Sequence, residues 1–293
     1  MKPAPFKYHA PESVEEALAH LAQYGFDAKV LAGGQSLVPV MNFRLAQPSV
    51  LIDLNRVPEL FFIRPDSNGG LRLGTMTRQA QVEHDAIVAQ RAPLVHEAMP
   101  LVAYPQIRSR GTFGGSVAHA DPSAEIPALC VALKGRFRLC NQAGERWVPA
   151  DEFYIALFTT ALQPDELLVE IALPGMPPRS GWSFQEVSRR HHDFAMVGAA
   201  TAVTLDETGL CREVRLVFLS VGEGPVLARQ AAEVLRGQAP TLEAIRAAAE
   251  IAANADIDPG SDVHASADYR RHLARVLAER TLAQAFERAT GEK

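Results

Sequence analysis

Cysteine is scarce in this chain. It occurs three times in 293 residues, at Cys130, Cys140 and Cys211, and no two of these form a Cys-x-x-Cys pair. That dispersal leaves a disulfide framework, a zinc site and a cysteine-ligated iron–sulfur cluster without support, and reads instead as buried free thiols behaving as small hydrophobes. No apolar run is long enough to cross a bilayer, and the start, MKPAPFKYHAPESVEEAL, has no signal-peptide core after its lysine, so the expected location is the cytoplasm. Positive charge is not in excess. A formal net charge of −5 argues against nucleic acid or an anionic membrane as the main partner. Also missing are the Gly-x-Gly-x-x-Gly fingerprint, the Gly-Lys-Ser/Thr of a phosphate-binding P-loop, a nucleophile elbow and any repeat of solenoid length.

What is present is enough apolar material, 47% of residues, for a large interior, in a chain long enough for two or three packed units. PESVEEALAHLAQYG predicts a helix: Ser13 and Glu16 have capping-box spacing, Val14, Ala17, Leu18, Leu21 and Ala22 form one stripe, and Gly25 stops it. AKVLAGG and SVLIDLN read as short strands, and LFFIRPDSNGGLRLGTMT as a hairpin turning at Asp66–Gly70. Helices are expected at about Thr77–Ala89 and Pro93–Val102, and another starting at Asp121-Pro122 and running to Gly135. RFRLCNQAGERWVP suggests a hairpin and ELLVEIALPG a closing strand. PGMPPRSG (residues 174–181) is the expected boundary. Beyond it, about three antiparallel strands precede an alanine-rich helical tail. The fold class is therefore α+β, with no sustained βαβαβ rhythm. The expected division is 1–177 (subdomains about 1–57 and 58–177) and 178–293.

Two glycine-rich segments stand out, LAGGQSLVP and RGTFGGSVAHADPSAE. Paired glycines let a chain turn tightly, and they let backbone N–H groups approach an anion. The first segment alone reads as a tight strand-ending turn rather than a site, and the second alone is weak evidence. Two in one chain, each after an apolar stretch, suggest an extended diphosphate. Asp121 would repel a phosphate and reads as a helix cap. His191-His192, adjacent on a strand or loop, point to opposite faces and do not make a shared metal site, and Asp53 and Asn55 read as a strand edge.

LAGGQSLVPVMNFRLAQPSVLIDLNRVPEL and PQIRSRGTFGGSVAHADPSAEIPALCVAL resemble the two flavin-binding segments of the FAD-binding (medium) subunit of molybdenum hydroxylases, the family of aerobic carbon monoxide dehydrogenase and of the xanthine dehydrogenase flavin domain. The similarity runs from FKYHAPESVEEAL through SRRHHDFAMVGAA. It implies a two-subdomain FAD-binding domain of the PCMH type, followed by a domain of a three-stranded antiparallel sheet with a helical bundle. It implies that Val30, Leu31, Ala32, Gly33, Gly34, Gln35, Ser36 and Leu37 wrap the FAD diphosphate, and that Thr112, Gly114, Gly115, Ser116 and His119 contact the nucleotide. By the same resemblance Glu125 hydrogen-bonds the ribityl hydroxyls, Leu168 gives a backbone contact, Gln185 lies near the adenosine half, and Phe194 covers one face of the isoalloxazine. Ser116 departs from the asparagine common in relatives, and Gln185 from a lysine.

The resemblance implies no catalytic acid or base and no metal on this chain. It places molybdopterin on a large partner subunit and 2Fe-2S clusters on a small one, in a dimer of heterotrimers, with electrons passing through FAD to an external acceptor. A free-standing flavin-dependent oxidase or dehydrogenase, and a flavin-free scaffold subunit, are the alternatives.

Overall fold

A computed structural model describes residues 2–291 of the chain. The first unit is a small parallel sheet. Its elements are β1 (Lys7–His9), α1 (Val14–Tyr24), β2 (Ala28–Leu31), α2 (Leu37–Asn42) and β3 (Val50–Asp53), with strand order β1-β3-β2. The first fifty residues therefore do alternate strand and helix, against expectation. β1 was invisible because Lys7-Tyr8-His9 lies on a sheet edge, mostly exposed, and carries no apolar pattern. Helix α1 forms as its caps predict: the Ser13 hydroxyl accepts the Glu16 N–H at 3.1 Å, and Gly25 ends it at φ 48°. The reciprocal capping bond slips by one residue, since the Glu16 carboxylate accepts from Glu12 N–H at 2.8 Å. Ala17, Leu18 and Leu21 face Val50 and Ile52 in a core of their own.

The second unit contains β4 (Ile63–Pro65), β5 (Leu71–Gly74), α3 (Gln79–His84), α4 (Ala86–Arg91), α5 (Pro93–Ala98), α6 (Pro105–Arg108), α7 (Phe113–His119), α8 (Glu125–Ala132), β6 (Arg136–Asn141), β7 (Gly144–Pro149), α9 (Ala150–Phe153), β8 (Tyr154–Ala156), β9 (Thr159–Thr160) and β10 (Leu167–Leu173). Its sheet has the order β4-β5-β10-β6-β7, antiparallel at every pairing. Three expectations are corrected here. The helix expected at Thr77–Ala89 breaks in two because Asp85 leaves the helical region and caps α4, accepting from Ile87 and Val88 N–H. The second glycine segment is not a loop but helix α7, capped by Thr112. The next helix starts at Glu125, four residues later than Asp121. Asp121 instead closes a turn by accepting Ser123 N–H at 2.9 Å. The reason is Pro127. In a helix begun at Pro122 it would sit in the interior without an N–H to donate, whereas from Glu125 it falls in the first turn.

The C-terminal unit is an antiparallel sheet of β11 (Ser180–Ser188), β12 (Ala195–Leu205), β13 (Cys211–Leu219) and β14 (Val226–Leu227), with helices α10 (Arg229–Leu235), α11 (Leu242–Ile251) and α12 (Ala267–Thr290). Three strands form the expected meander, and two-residue β14 adds a fourth. The sheet is covered on both faces, by α5 and α8 of the second unit on one side and by α10 and α12 on the other. Gly181 permits the second contact, because a Cβ there would overlap the Ala285 carbonyl of α12. Three polar joins fix the units together. Arg215 donates to the Val131 carbonyl at 2.7 Å and pairs with Asp151, Glu97 accepts from Phe184 N–H at 2.9 Å and from Arg288 at 2.6 Å, and Ser220 N–H reaches the Pro122 carbonyl at 2.8 Å.

Candidate functional site

Strand β2 ends at Leu31, and the chain then turns through Ala32–Ser36 into α2. Gly34 takes φ 74°, a conformation that a side chain disfavours. Among the described residues, no protein group accepts from the backbone N–H of Gly33, Gly34, Gln35 or Ser36. The first three of these donors, at Gly33, Gly34 and Gln35, belong to residues lining a cleft of about 340 Å³, together with Leu31, Ala32, Val38, Pro39, Asp53, Asn55 and Arg110. The exposed Arg110 guanidinium has no hydrogen-bond or ion-pair partner among the described residues. Consecutive free amides beside an unpaired cation make an anion-binding cradle.

The cradle is held from below. Asn55 donates to the Ala32 carbonyl at 3.0 Å and accepts from Arg78 at 2.5 Å, and Arg78 donates to the Arg110 carbonyl at 2.7 Å. One bonded chain thus ties the first glycine loop to the segment preceding the second. The backbones touch: a Cβ on Gly33 would lie 2.6 Å from the Arg110 carbonyl and 2.7 Å from the Gly111 Cα. Burial, followed by the nearby Arg110, lowers the Arg78 pKa. Asp53, the one carboxylate in the cleft, already accepts from Asn55 N–H at 2.9 Å, from the Asn55 amide at 2.5 Å and from the Tyr8 hydroxyl at 2.6 Å. The bond to Asp53 in turn raises the Tyr8 pKa.

The second segment is closed where the first is open. Phe113 N–H donates to Thr77 O and Gly114 N–H to Thr75 O, both at 2.9 Å, and Gly115 N–H donates to the Thr112 hydroxyl at 3.0 Å. Gly114 is there for packing, since a Cβ would run into Thr75. Gly115 brings α7 beside the first loop, its Cβ position 3.4 Å from that of Ala32. His119 ends the helix, half-buried against the Phe158 ring at 5.2 Å, and desolvation lowers its pKa against the pull of Asp121.

Further along, Glu125 begins α8 almost fully buried. Burial first, and the carboxyl of Glu186 second, push its pKa up to about 8. Glu186, on β11, is raised to about 7 by burial and has an Oε2 without a partner. Leu168 lies in β10 where the pairing with β6 slips, between Leu168 and Glu170. Phe194 is 73% exposed, directly before β12. Gln185 is not gathered with the rest. It faces α12, where its amide reaches Gln284 at 3.5 Å, while its neighbour Glu186 takes the side towards Glu125. Asp53, Asn55, Arg78 and Arg110 were not singled out from sequence as site residues. The polar Asp-Leu-Asn run closing an apolar strand was the available signal for the first two.

Residues 4–176 match the family described as FAD binding domain in molybdopterin dehydrogenase, and residues 182–285 match the CO dehydrogenase flavoprotein C-terminal domain. The chain belongs to the FAD-binding medium-subunit family of the molybdopterin dehydrogenases. It is 44% identical over 293 residues to the 6-hydroxypseudooxynicotine dehydrogenase complex subunit alpha of Paenarthrobacter nicotinovorans, covering 100% of this chain and 98% of that one. It is 40% identical over 289 residues to the carbon monoxide dehydrogenase medium chain of Hydrogenophaga pseudoflava, covering 98% and 99%. Among solved structures, carbon monoxide dehydrogenase from Hydrogenophaga pseudoflava, in a form lacking the Mo-pyranopterin moiety, superposes with a TM-score of 0.94 at 41% identity, over 98% of this chain and 99% of that one. Quinoline 2-oxidoreductase from Pseudomonas putida 86 gives 0.92 at 37% identity, over 99% of each chain. This medium subunit is thus an oxidoreductase flavoprotein whose cofactor is FAD. The cleft fits that cofactor, because a diphosphate requires amide donors and a cation, and the only carboxylate lining it is already engaged.

Proposed function

We propose that this chain is the electron-transfer subunit of a molybdenum hydroxylase, taking electrons from iron–sulfur clusters of a small partner subunit and passing them to an external acceptor. A large molybdopterin subunit would complete a heterotrimer that pairs into a dimer, in the cytoplasm. Among the described residues no helix is long and apolar enough to cross a membrane. The observation that carries the reading is the open amide cradle at Gly33–Gln35 beside the unpaired Arg110. FAD, when bound, supplies the redox chemistry.

The chain's own residues bind and orient. In this reading Val30–Leu37 and Arg110 hold the diphosphate, Asn55 and Arg78 brace that loop, and Thr112–Ser116 close its far side. His119, with its lowered pKa, stays largely neutral near pH 7 and offers one donor and one acceptor. Glu125, protonated at the same pH, donates to a ribityl hydroxyl. Leu168, next to the register shift in β10, contributes a backbone contact, and Phe194 covers the isoalloxazine. Gln185 is left out of the set because it is turned to α12. We take 1–177 and 178–293 as the functional division, with the C-terminal unit bringing Phe194 to the site.

Purification of the native complex, followed by measurement of flavin, molybdenum and iron, tests the reading. Stoichiometric FAD on this chain, with both metals on co-purifying subunits, supports it. Oxidation of a substrate by the isolated chain with oxygen would make it a free-standing oxidase. A colourless chain within an intact complex would make it a scaffold.

A further inference from the structure

Phe194 is largely exposed, so no core packing fixes it; the backbone at the start of β12 must. Besides its pairing with Ser188 of β11, that backbone is held by Ser220, from the turn after β13, and by Arg270. The Ser220 hydroxyl donates to the Ala195 carbonyl at 2.7 Å, and its N–H donates to the Pro122 carbonyl at 2.8 Å, in the turn joining His119 to Glu125. Its own carbonyl accepts from Arg270 at 3.0 Å, and the same guanidinium nitrogen donates to the Met196 carbonyl at 2.5 Å. Arg270 is buried and anchored by Asp262 at 2.7 Å. Ser220 adopts φ 63°, which serine seldom does.

We propose that Ser220 is a positioning residue for the flavin: it ties the strand carrying Phe194 to the turn that follows the second glycine segment, and so sets where that ring lies. The inference rests on the reading of Phe194 given above. A hydroxyl bonded to Ala195 and an amide bonded to Pro122 make one residue the shared fixed point of both sides of the site. Removal of the hydroxyl frees only the Phe194 side.

The test is a double-mutant cycle on the full chain, with FAD titrated into flavin-free protein and the visible circular dichroism of the bound flavin recorded. Ser220→Ala is expected to raise the Kd for FAD about two- to tenfold, the range for one lost hydrogen bond, and to alter the visible band. Ser220→Gly accepts the positive φ without strain and should do the same, so a folding defect in the alanine variant does not decide the matter. With Phe194→Ala already in place, either change should add less than about twofold, because the ring through which Ser220 acts is gone. Equal effects in both backgrounds, or an unchanged Kd and spectrum in Ser220→Gly, would overturn the positioning role alone. Failure of the unsubstituted chain to bind FAD would overturn this inference and the flavin reading together.

Discussion

Gly33-Gly34 and Gly114-Gly115 are spelled alike, each a glycine pair with a serine within two residues, yet their backbones are in opposite states. The first pair sits in a turn whose amides find no acceptor among the described residues and line a cleft with an unpaired cation. The second pair lies in a helix whose first amides are taken by Thr75, Thr77 and Thr112, and its glycines serve close packing. Composition therefore does not separate a ligand cradle from a packing contact. The acceptors that the rest of the fold brings to those amides do.

The largest effect should come from the closed side. Gly114→Val forces a side chain into the Thr75 backbone, and we expect a loss of about 3 kcal/mol or more in urea unfolding, or no soluble protein. On the open side, Gly34→Val meets only the Val38 and Leu31 side chains at 3.2 and 3.3 Å. Its positive φ should cost about 1–2 kcal/mol of stability. FAD affinity should fall about a hundredfold, as two or more charge-assisted amide bonds are misaligned. A Gly34→Val protein that loses about 3 kcal/mol of stability but keeps its FAD affinity would reverse the comparison.

The closed side also buries two carboxyl groups. Glu125 and Glu186, raised to about 8 and about 7, hold protons in the folded state that the unfolded chain releases near its ordinary carboxyl pKa of 4.5. The folded state then binds more protons than the unfolded one, so stability is greatest in mild acid and declines as pH rises through 7 to 8. Glu186→Gln should flatten the decline of the flavin-free protein between pH 5 and 8.5, by at most about 3 kcal/mol, read from urea midpoints at three pH values. A slope that does not change would mean that water reaches these carboxyls. The smallest effect is assigned to Thr112→Ala: about 1 kcal/mol of stability for the lost cap, with FAD affinity changed less than about threefold.

The same contrast explains what could be read from sequence alone. Helix α1, the Asp66–Gly70 hairpin and the C-terminal meander were legible because caps, turn residues and apolar periodicity lie within each segment. Both glycine segments were legible as unusual backbone, and the order of the flanking motifs pointed to FAD. The helical state of Phe113–His119 was not legible, because two glycines argue locally against helix and the acceptors that stabilise it lie near Thr75. Asn55, Arg78 and Arg110 stayed hidden for a related reason. Their meaning comes from a bonded chain across the fold, Ala32 to Asn55 to Arg78 to the Arg110 carbonyl, which no local pattern encodes. Gln185 joins the α12 face because strand alternation, not its neighbours in sequence, decides which face it takes.

Helix α8 is buried along all eight of its residues, on one side by its own unit and on the other by β12 and β13. During synthesis it leaves the ribosome long before Leu219 exists, so its outer face waits uncovered in the nascent chain. The growing protein must therefore pass through a stage in which an apolar helix lies open to chaperones or to other chains. Truncations at the apparent boundary near residue 177 should reproduce that stage permanently, and an isolated N-terminal piece is expected to aggregate rather than behave as a flavin-binding module.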